Sequence, residues 1–269
     1  NEADAQIMAN VLKDSMGNPQ HGATDVLIAN DLLETLWTTQ ACQTLQLQMS
    51  TPIRKITESK NGFYLNDCYE HTAVILAIPP SGAKKVLAEL PESNDSKALL
   101  RELAAFEYRQ IATLWVELAR PWHALSNKPM LMLNDDPAQQ AYGQWLFNHA
   151  YIKNSQTPNL LAIIVSDAGA LASLPRQEAI TSLLNQLAHE TGHAGPMPAI
   201  KGQALIIEKR ATFAAKPGVM RPAAATPWRG LWLAGDWTDT GYPAVLEGAI
   251  RSGQTAARHV LATRDENTG

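Results

Sequence analysis

Apolar and polar positions follow two rhythms along the chain, and the change from one to the other divides it. From Glu2 to Met16, the residues Ile7, Val11 and Leu12 form a stripe at i, i+4 and i+5. Gly17 and Asn18-Pro19 close the segment, so a helix is predicted there. A second helix is predicted over Asn30 to Gln40, with Leu32, Leu33, Leu36 and Trp37 on one face. The period then drops to two. Leu45, Leu47 and Met49 alternate with polar residues, and Pro52 opens a run through Ile53 and Ile56. Phe63 and Leu65 follow Asn61-Gly62, a strong turn signal. Thr72 to Ile78 is a continuous apolar run closed by Pro79-Pro80, which suits a buried strand. These features predict a small β-meander followed by a deep strand.

Helices are predicted over Ser81 to Leu90 and Ser96 to Phe106. Strands are predicted at Gln110 to Leu118, Met130 to Leu133, Gly143 to Phe147 and Leu160 to Val165. Pro175 opens an amphipathic helix with Ile180, Leu183, Leu184 and Leu187 on one face, ended by Gly192. Ala204 to Phe213 reads as a strand. A Pro- and Ala-rich loop, Ala214 to Pro227, leads to a strand at Leu231 to Ala234 and a helix from about Pro243 to Ala262. Arg264 to Gly269 reads as a disordered tail. There is no internal repeat. The class is α/β, a mixed sheet with helices.

Composition narrows the function. The chain has 269 residues, 45% of them apolar, enough for a sizeable core. A net charge of −4 without clustered Lys and Arg excludes a nucleic-acid surface. No apolar run approaches the roughly 20 residues of a membrane span. No signal peptide is visible after Asn1. Cys42 and Cys68 have no metal spacing and fit a reducing cytoplasm. No metal site is expected. The chain opens without Met, directly in a helix-like segment, and so reads as a piece of a longer protein.

The candidate chemistry lies near the C-terminus. The apolar strand at Leu231 ends in Gly235-Asp236, a short loop follows, and Pro243 occupies what reads as the first position of the last helix. Gly235 permits close approach to the backbone. Asp236 can accept hydrogen bonds from sugar-like hydroxyls. The helix N-terminus offers unpaired N–H groups and positive dipole character. Val245, Ala249, Gly253, Ala256, Ala257 and Val260 form a stripe of mostly small residues, and Glu247 and Arg251 make an i, i+4 pair. An ordinary α/β unit with a tight strand-to-helix turn has the same features.

These residues resemble the closing motif of the flavin amine oxidase and phytoene desaturase superfamily. That motif reads Leu/Phe-Ala-Gly-Asp/Thr, a variable loop, then Glu-Gly-Ala, two residues, and Ser-Gly. Within that group the chain is most similar to the squalene-associated FAD-dependent desaturases, the hydroxysqualene dehydroxylases. The stretch Glu208 to Ala215, Pro217-Gly218, Arg221-Pro222 and the run from Gly235-Asp236-Trp237 to Arg251-Ser252-Gly253 carry the closer match. The resemblance implies the C-terminal portion of a two-domain FAD enzyme. Residues 41–80 and 226–263 would be parts of the FAD domain, and 1–40 and 81–225 a substrate domain. It implies that Gly235 and Asp236 lie beside the ribityl or pyrophosphate part of FAD. It implies that the N–H groups of Val245 and Leu246 face the O2 edge of the flavin ring, and that Ile53 meets the adenine. The activity implied is hydride transfer between flavin N5 and an isoprenoid carbon, with a lipid-like substrate and peripheral membrane contact of the whole enzyme. No residue stands out as the catalytic acid. An amine oxidase of the same superfamily and a non-catalytic binding module are the alternatives.

The chain contains no G-x-G-x-x-G turn, which in this superfamily binds the pyrophosphate. Weak or absent FAD binding by this chain alone is therefore expected. The strand at Leu231 is also expected to have an unpaired edge or a substitute neighbour. His189-Glu190-Thr191-Gly192-His193 matches the H-E-x-x-H zinc-protease pattern, but Gly192 between the two His predicts a helix end there. Asp135-Asp136 before Pro137 reads as a turn. Glu208, Arg210 and Thr212 share a strand face that is either solvated or lines a cavity. Trp115, Trp122, Trp145 and Trp228 read mainly as core or rim, and otherwise as the lining of an isoprenoid site.

Overall fold

A computed structural model describes residues 4–16, 43–126, 128–151, 159–191 and 195–266. The chain divides into two compact units. The first comprises 1–25, 48–107 and 213–269, and the second 26–47 and 108–212.

The second unit is built on strand periodicity. In β5 (Tyr108–Leu118), Ala112, Leu114, Val116 and Leu118 are buried at every second position. β5 pairs antiparallel with β8 (Leu160–Val165), from Ala112↔Val165 to Glu117↔Leu160. β8 pairs with β7 (Trp145–Asn148), and β7 with β6 (Met130–Met132). β9 (Ile200–Phe213) lies on the other side of β5, giving the order β6-β7-β8-β5-β9. After the short helix α4 (Gly169–Ala172), α5 (Arg176–Thr191) buries Ile180, Leu183 and Leu187 in the same core as the inward residues of β5 and β8. Each such Leu contributes about 1.5–3 kcal/mol by leaving water. A polar contact fixes the helix as well: Gln186 accepts the Gly143 N–H at 2.7 Å and donates to the Gly143 carbonyl at 2.9 Å.

In the first unit, α1 (Ala5–Met16) precedes a meander of β1 (Ile56–Glu58), β2 (Phe63–Leu65) and β3 (Tyr69–His71). The β1–β2 turn is at Asn61-Gly62, as its sequence requires. β4 (Val74–Leu76) leads to α2 (Pro80–Leu87) and α3 (Asn94–Ala104), the latter opened by a Ser93–Ser96 capping box. β10 (Leu231–Leu233) pairs parallel with β4, Leu231↔Val74 through Leu233↔Leu76. Its other edge meets the loop strand before it, by an isolated bridge Ala225↔Trp232 and a Leu233 N–H to Ala224 carbonyl bond of 2.8 Å. That loop is the substitute neighbour expected. α6 (Leu246–Glu266) buries Ala256 with Trp232 and Ala234.

Several elements differ from expectation. Leu45, Leu47 and Met49 form no strand and are exposed, Met49 to 81%. Alternation alone does not make a strand without a partner ladder. The strand expected from Pro52 begins at Ile56. Within β4, Ile75 is exposed, so only Val74 and Leu76 are deep. Pro243 is not the first helical residue: Val245 N–H donates to the Pro243 carbonyl at 2.8 Å, a three-residue turn that delays α6 to Leu246. The small-residue stripe is rotated, with Ser252 and Ala256 buried while Val245 and Ala257 are exposed. Residues 264–266, expected in a tail, continue α6. By contact, 1–25, 81–107 and 213–225 group with the C-terminal segment, whereas the sequence reading joined them to 108–212. The helix expected over 30–40 lies outside the described residues. Among the described residues no helix is long and apolar enough to cross a membrane.

Candidate functional site

The site grows from the end of β10. Ala234 N–H still bonds the Leu76 carbonyl at 3.0 Å, and then Gly235 breaks the strand with φ +150°. An added Cβ at Gly235 would overlap the Trp237 indole, so only glycine lets the chain turn here. Ser252 of α6 accepts the Gly235 N–H at 2.9 Å, and its hydroxyl lies 2.7 Å from that of Thr238. Thr238 donates in turn to the Gly235 carbonyl at 3.0 Å. Both hydroxyls are buried. Together they satisfy the backbone polar groups that the turn takes out of water.

The loop from Asp236 to Tyr242 is held from beneath by Arg221. Its guanidinium donates to the carbonyls of Asp236 at 2.7 Å, Tyr242 at 2.6 Å and Trp237 at 3.4 Å, and to the Thr240 hydroxyl at 3.1 Å. The guanidinium packs over the Phe213 ring, 4.8 Å from its centroid. Phe106 meets both Phe213 and Trp237 edge to face, at 5.9 and 6.1 Å. Burial lowers the Arg221 pKa, while Asp239 and Asp236 act to raise it. The Asp236 carboxyl is held above its usual range. Burial is the main cause, opposed by Arg221 and by backbone hydrogen bonds from Trp237 and Asp236 itself.

Beyond the loop, Gly248 allows the first turn of α6 to approach the Pro243 carbonyl and the Thr240 hydroxyl, contacts that a Cβ would crowd to 3.2 and 3.3 Å. Leu246, Glu247 and Gly248 open the helix, so their N–H groups have no partner within it. Thr238, Asp239, Thr240, Arg251, Ser252 and Arg258 are among the residues lining a polar cavity of about 560 Å³.

Gly235, Asp236, Val245 and Leu246 thus lie on one strand–turn–helix element in the first unit. The Val245 donor is taken by Pro243, which leaves the donors from Leu246 onward. Ile53 lies outside any strand, before β1, and is 37% exposed. The sequence reading quoted Arg221 without giving it a role and passed over Thr238. Most of their partners are backbone groups, and no spacing of residue types announces that.

The model of the flavin containing amine oxidoreductase family matches residues 19–261. The chain belongs to this family. A relative from Rhodopseudomonas palustris, named hydroxysqualene dehydroxylase, is 33% identical over 192 residues, 71% of this chain and 38% of that protein. One of the same name from Sinorhizobium fredii is 31% identical over 201 residues, 73% of this chain and 40% of that protein. The chain thus spans about two fifths of the length of these relatives. Solved structures share its fold. A putative protoporphyrinogen oxidase from an Exiguobacterium species has a TM-score of 0.54 at 15% identity, covering 80% of this chain and 47% of its own. Cyclohexylamine oxidase from Brevibacterium oxydans gives 0.54 at 15%, covering 79% and 48%.

Other motifs of this family member are occupied structurally. Glu190 of the H-E-x-x-H pattern accepts the Asn134 N–H with both carboxylate oxygens at 3.1 Å, and also a bond from Gln186. α5 ends at Thr191, and Gly192 and His193 lie outside the described residues. Among the described residues no group of three or more His, Cys, Asp or Glu could hold a metal. Asp136 caps the short turn at Pro137. Glu208 and Arg210 are exposed. Trp122 and Trp228 are buried, Trp228 donating to the Pro91 carbonyl at 3.1 Å.

Proposed function

We propose that the turn from Gly235 to Gly248 is one wall of an FAD site, in a protein that transfers hydride between flavin and an isoprenoid-type substrate. The observation supporting this reading is that the strand end Gly235-Asp236, the loop held by Arg221 and the N-terminus of α6 follow one another on a single strand–turn–helix element. The residues present suit part of the cofactor. A half-buried carboxylate suits the ribityl hydroxyls, and helix N-terminal N–H groups suit an electron-rich ring oxygen. For the pyrophosphate the chain holds no Gly-rich turn, so FAD binding by this chain alone is expected to be weak.

When bound, reduced flavin supplies the hydride. The protein's part is orientation. Asp236 accepts from hydroxyls, and the N–H groups of Leu246 and Glu247 stabilise negative charge on the ring edge. The isoprenoid substrate class is supported by the two relatives named hydroxysqualene dehydroxylase. A lipid-like substrate also implies peripheral contact of the whole protein with a membrane.

The test is product analysis with the full-length protein, reduced FAD and hydroxysqualene. Squalene formation that falls at least tenfold in Asp236→Ala is the expected result. Turnover of amines in place of hydroxysqualene would overturn the substrate assignment.

A further inference from the structure

We propose that the first helix is a clasp on the strand–turn–helix element, and that its Asn10 is a positioning residue for the donors that open α6. The consequence for a cofactor rests on the flavin reading. The clasp itself does not.

α1 is bonded in three places to the segment from Ala215 to Arg251. At its start, Asp4 N–H donates to the Ala215 carbonyl at 2.9 Å, while the Asp4 carboxylate accepts the N–H groups of Gln6 and Ile7. In the middle, the Asn10 amide donates to the Gly241 carbonyl at 2.8 Å. One turn further on, Asp14 meets Arg251 of α6 at 3.3 Å. Positions 10 and 14 share a face of the helix, so one placement of α1 serves both bonds.

Gly241 precedes Tyr242, whose carbonyl is taken by Arg221 at 2.6 Å. Two successive carbonyls are thus held by distant side chains, just before the three-residue turn that sets the start of α6. A planar peptide whose carbonyl is held does not rotate freely, so the chain enters Leu246 from a fixed direction. Gly241 has φ +73°, and a Cβ there would come within 3.1 Å of the Asn10 amide. Arg251 closes the arrangement. It bonds Glu247 at 2.6 Å, meets Asp14, and lies 4.4 Å from the centroid of the buried Tyr242 ring.

Little else seats the helix. Among the described residues, no side chain of α1 belongs to a buried core, and Met8 and Leu12 are about half exposed. A helix of 12 residues is marginal by itself, so these polar contacts carry a large share of its attachment.

The experiment compares wild type with Asn10→Asp, Asn10→Gln and Asp14→Asn by hydrogen exchange, read peptide by peptide without flavin. Asp has the size and nearly the helix propensity of Asn, but when ionised it cannot donate to a carbonyl. Asn10→Asp is expected to raise exchange at residues 240–250 at least fivefold at pH 7, with the β1–β2 hairpin unchanged. Asn10→Gln keeps the donor and is expected to stay within twofold of wild type. Asp14→Asn removes a half-exposed ion pair and is expected to do less than Asn10→Asp. Unchanged exchange in Asn10→Asp, an equal rise in the hairpin, or an equal rise in Asn10→Gln would overturn the proposal. FAD is then titrated to 1 mM by fluorescence quenching, and Asn10→Asp is expected to bind at least fivefold more weakly than wild type. Equal measurable affinities would overturn the positioning role. Wild type that binds no FAD, with exchange as expected, overturns the flavin reading and leaves the clasp standing.

Discussion

Ser252 on the second turn of α6 accepts the N–H of Gly235 at 2.9 Å, so the helix and the end of β10 share one hydrogen bond at the start of the turn. Ser252 is only 2% exposed, and its hydroxyl also partners Thr238. Replacing it by Ala leaves a buried donor without its acceptor. A loss of about 1–3 kcal/mol is expected for Ser252→Ala, read from the midpoint of urea unfolding.

Gly235→Ala should be at least as damaging. The new methyl must displace the Trp237 indole, which is itself buried, and must accept φ +150°. Overpacking of this kind costs about 1–3 kcal/mol, before any backbone strain is added. A lowered Tm, with altered near-ultraviolet circular dichroism from the Trp237 ring, is the expected signature.

Asp236 gives a pH-dependent prediction. Its folded pKa is raised above the ordinary 3.8, chiefly by burial, so folding favours the protonated form. That contribution to stability is fully present below about 3.8 and is lost as the pH rises through the raised value. At pH 7 Asp236→Asn should therefore be at least as stable as wild type, with the advantage vanishing near pH 4. Equal Tm differences at both pH values would contradict it.

His149 behaves in the opposite sense. Burial lowers its pKa below 6.5, and its ring packs edge-on to Trp115 at 5.1 Å. The neutral form is favoured on folding. The associated stability is present above about 6.5 and is lost as the pH falls through the lowered value. Wild type should lose Tm relative to His149→Gln between pH 7 and 5.

Much of this was legible because burial imposes a period. The strand Leu160 to Val165 was read to the residue, since a short apolar run bounded by polar segments has few other homes. The Asn61-Gly62 turn was equally plain. The candidate site could be located because Gly235, Asp236 and the start of α6 lie within one short stretch of sequence. Arg221 was not readable in the same way. Its partners lie 15 to 21 positions away and are carbonyls, which every residue possesses. Leu45 to Met49 misled for the converse reason: alternation is present, but among the described residues no strand pairs with it.

The parallel pairing of β4 with β10 has a kinetic consequence. It joins Val74 to Leu231, residues about 157 positions apart, with the 108–212 segment of the second unit between them. Yet Ala214 N–H meets the Glu107 carbonyl at 2.9 Å, so the residues flanking the 108–212 segment come together. If the second unit folds first, the open loop that β4 and β10 must close shrinks roughly threefold. The entropic cost of closure then falls by about 1 kcal/mol. The connectivity therefore favours an order in which the antiparallel sheet of residues 108–212 forms before β4 pairs with β10.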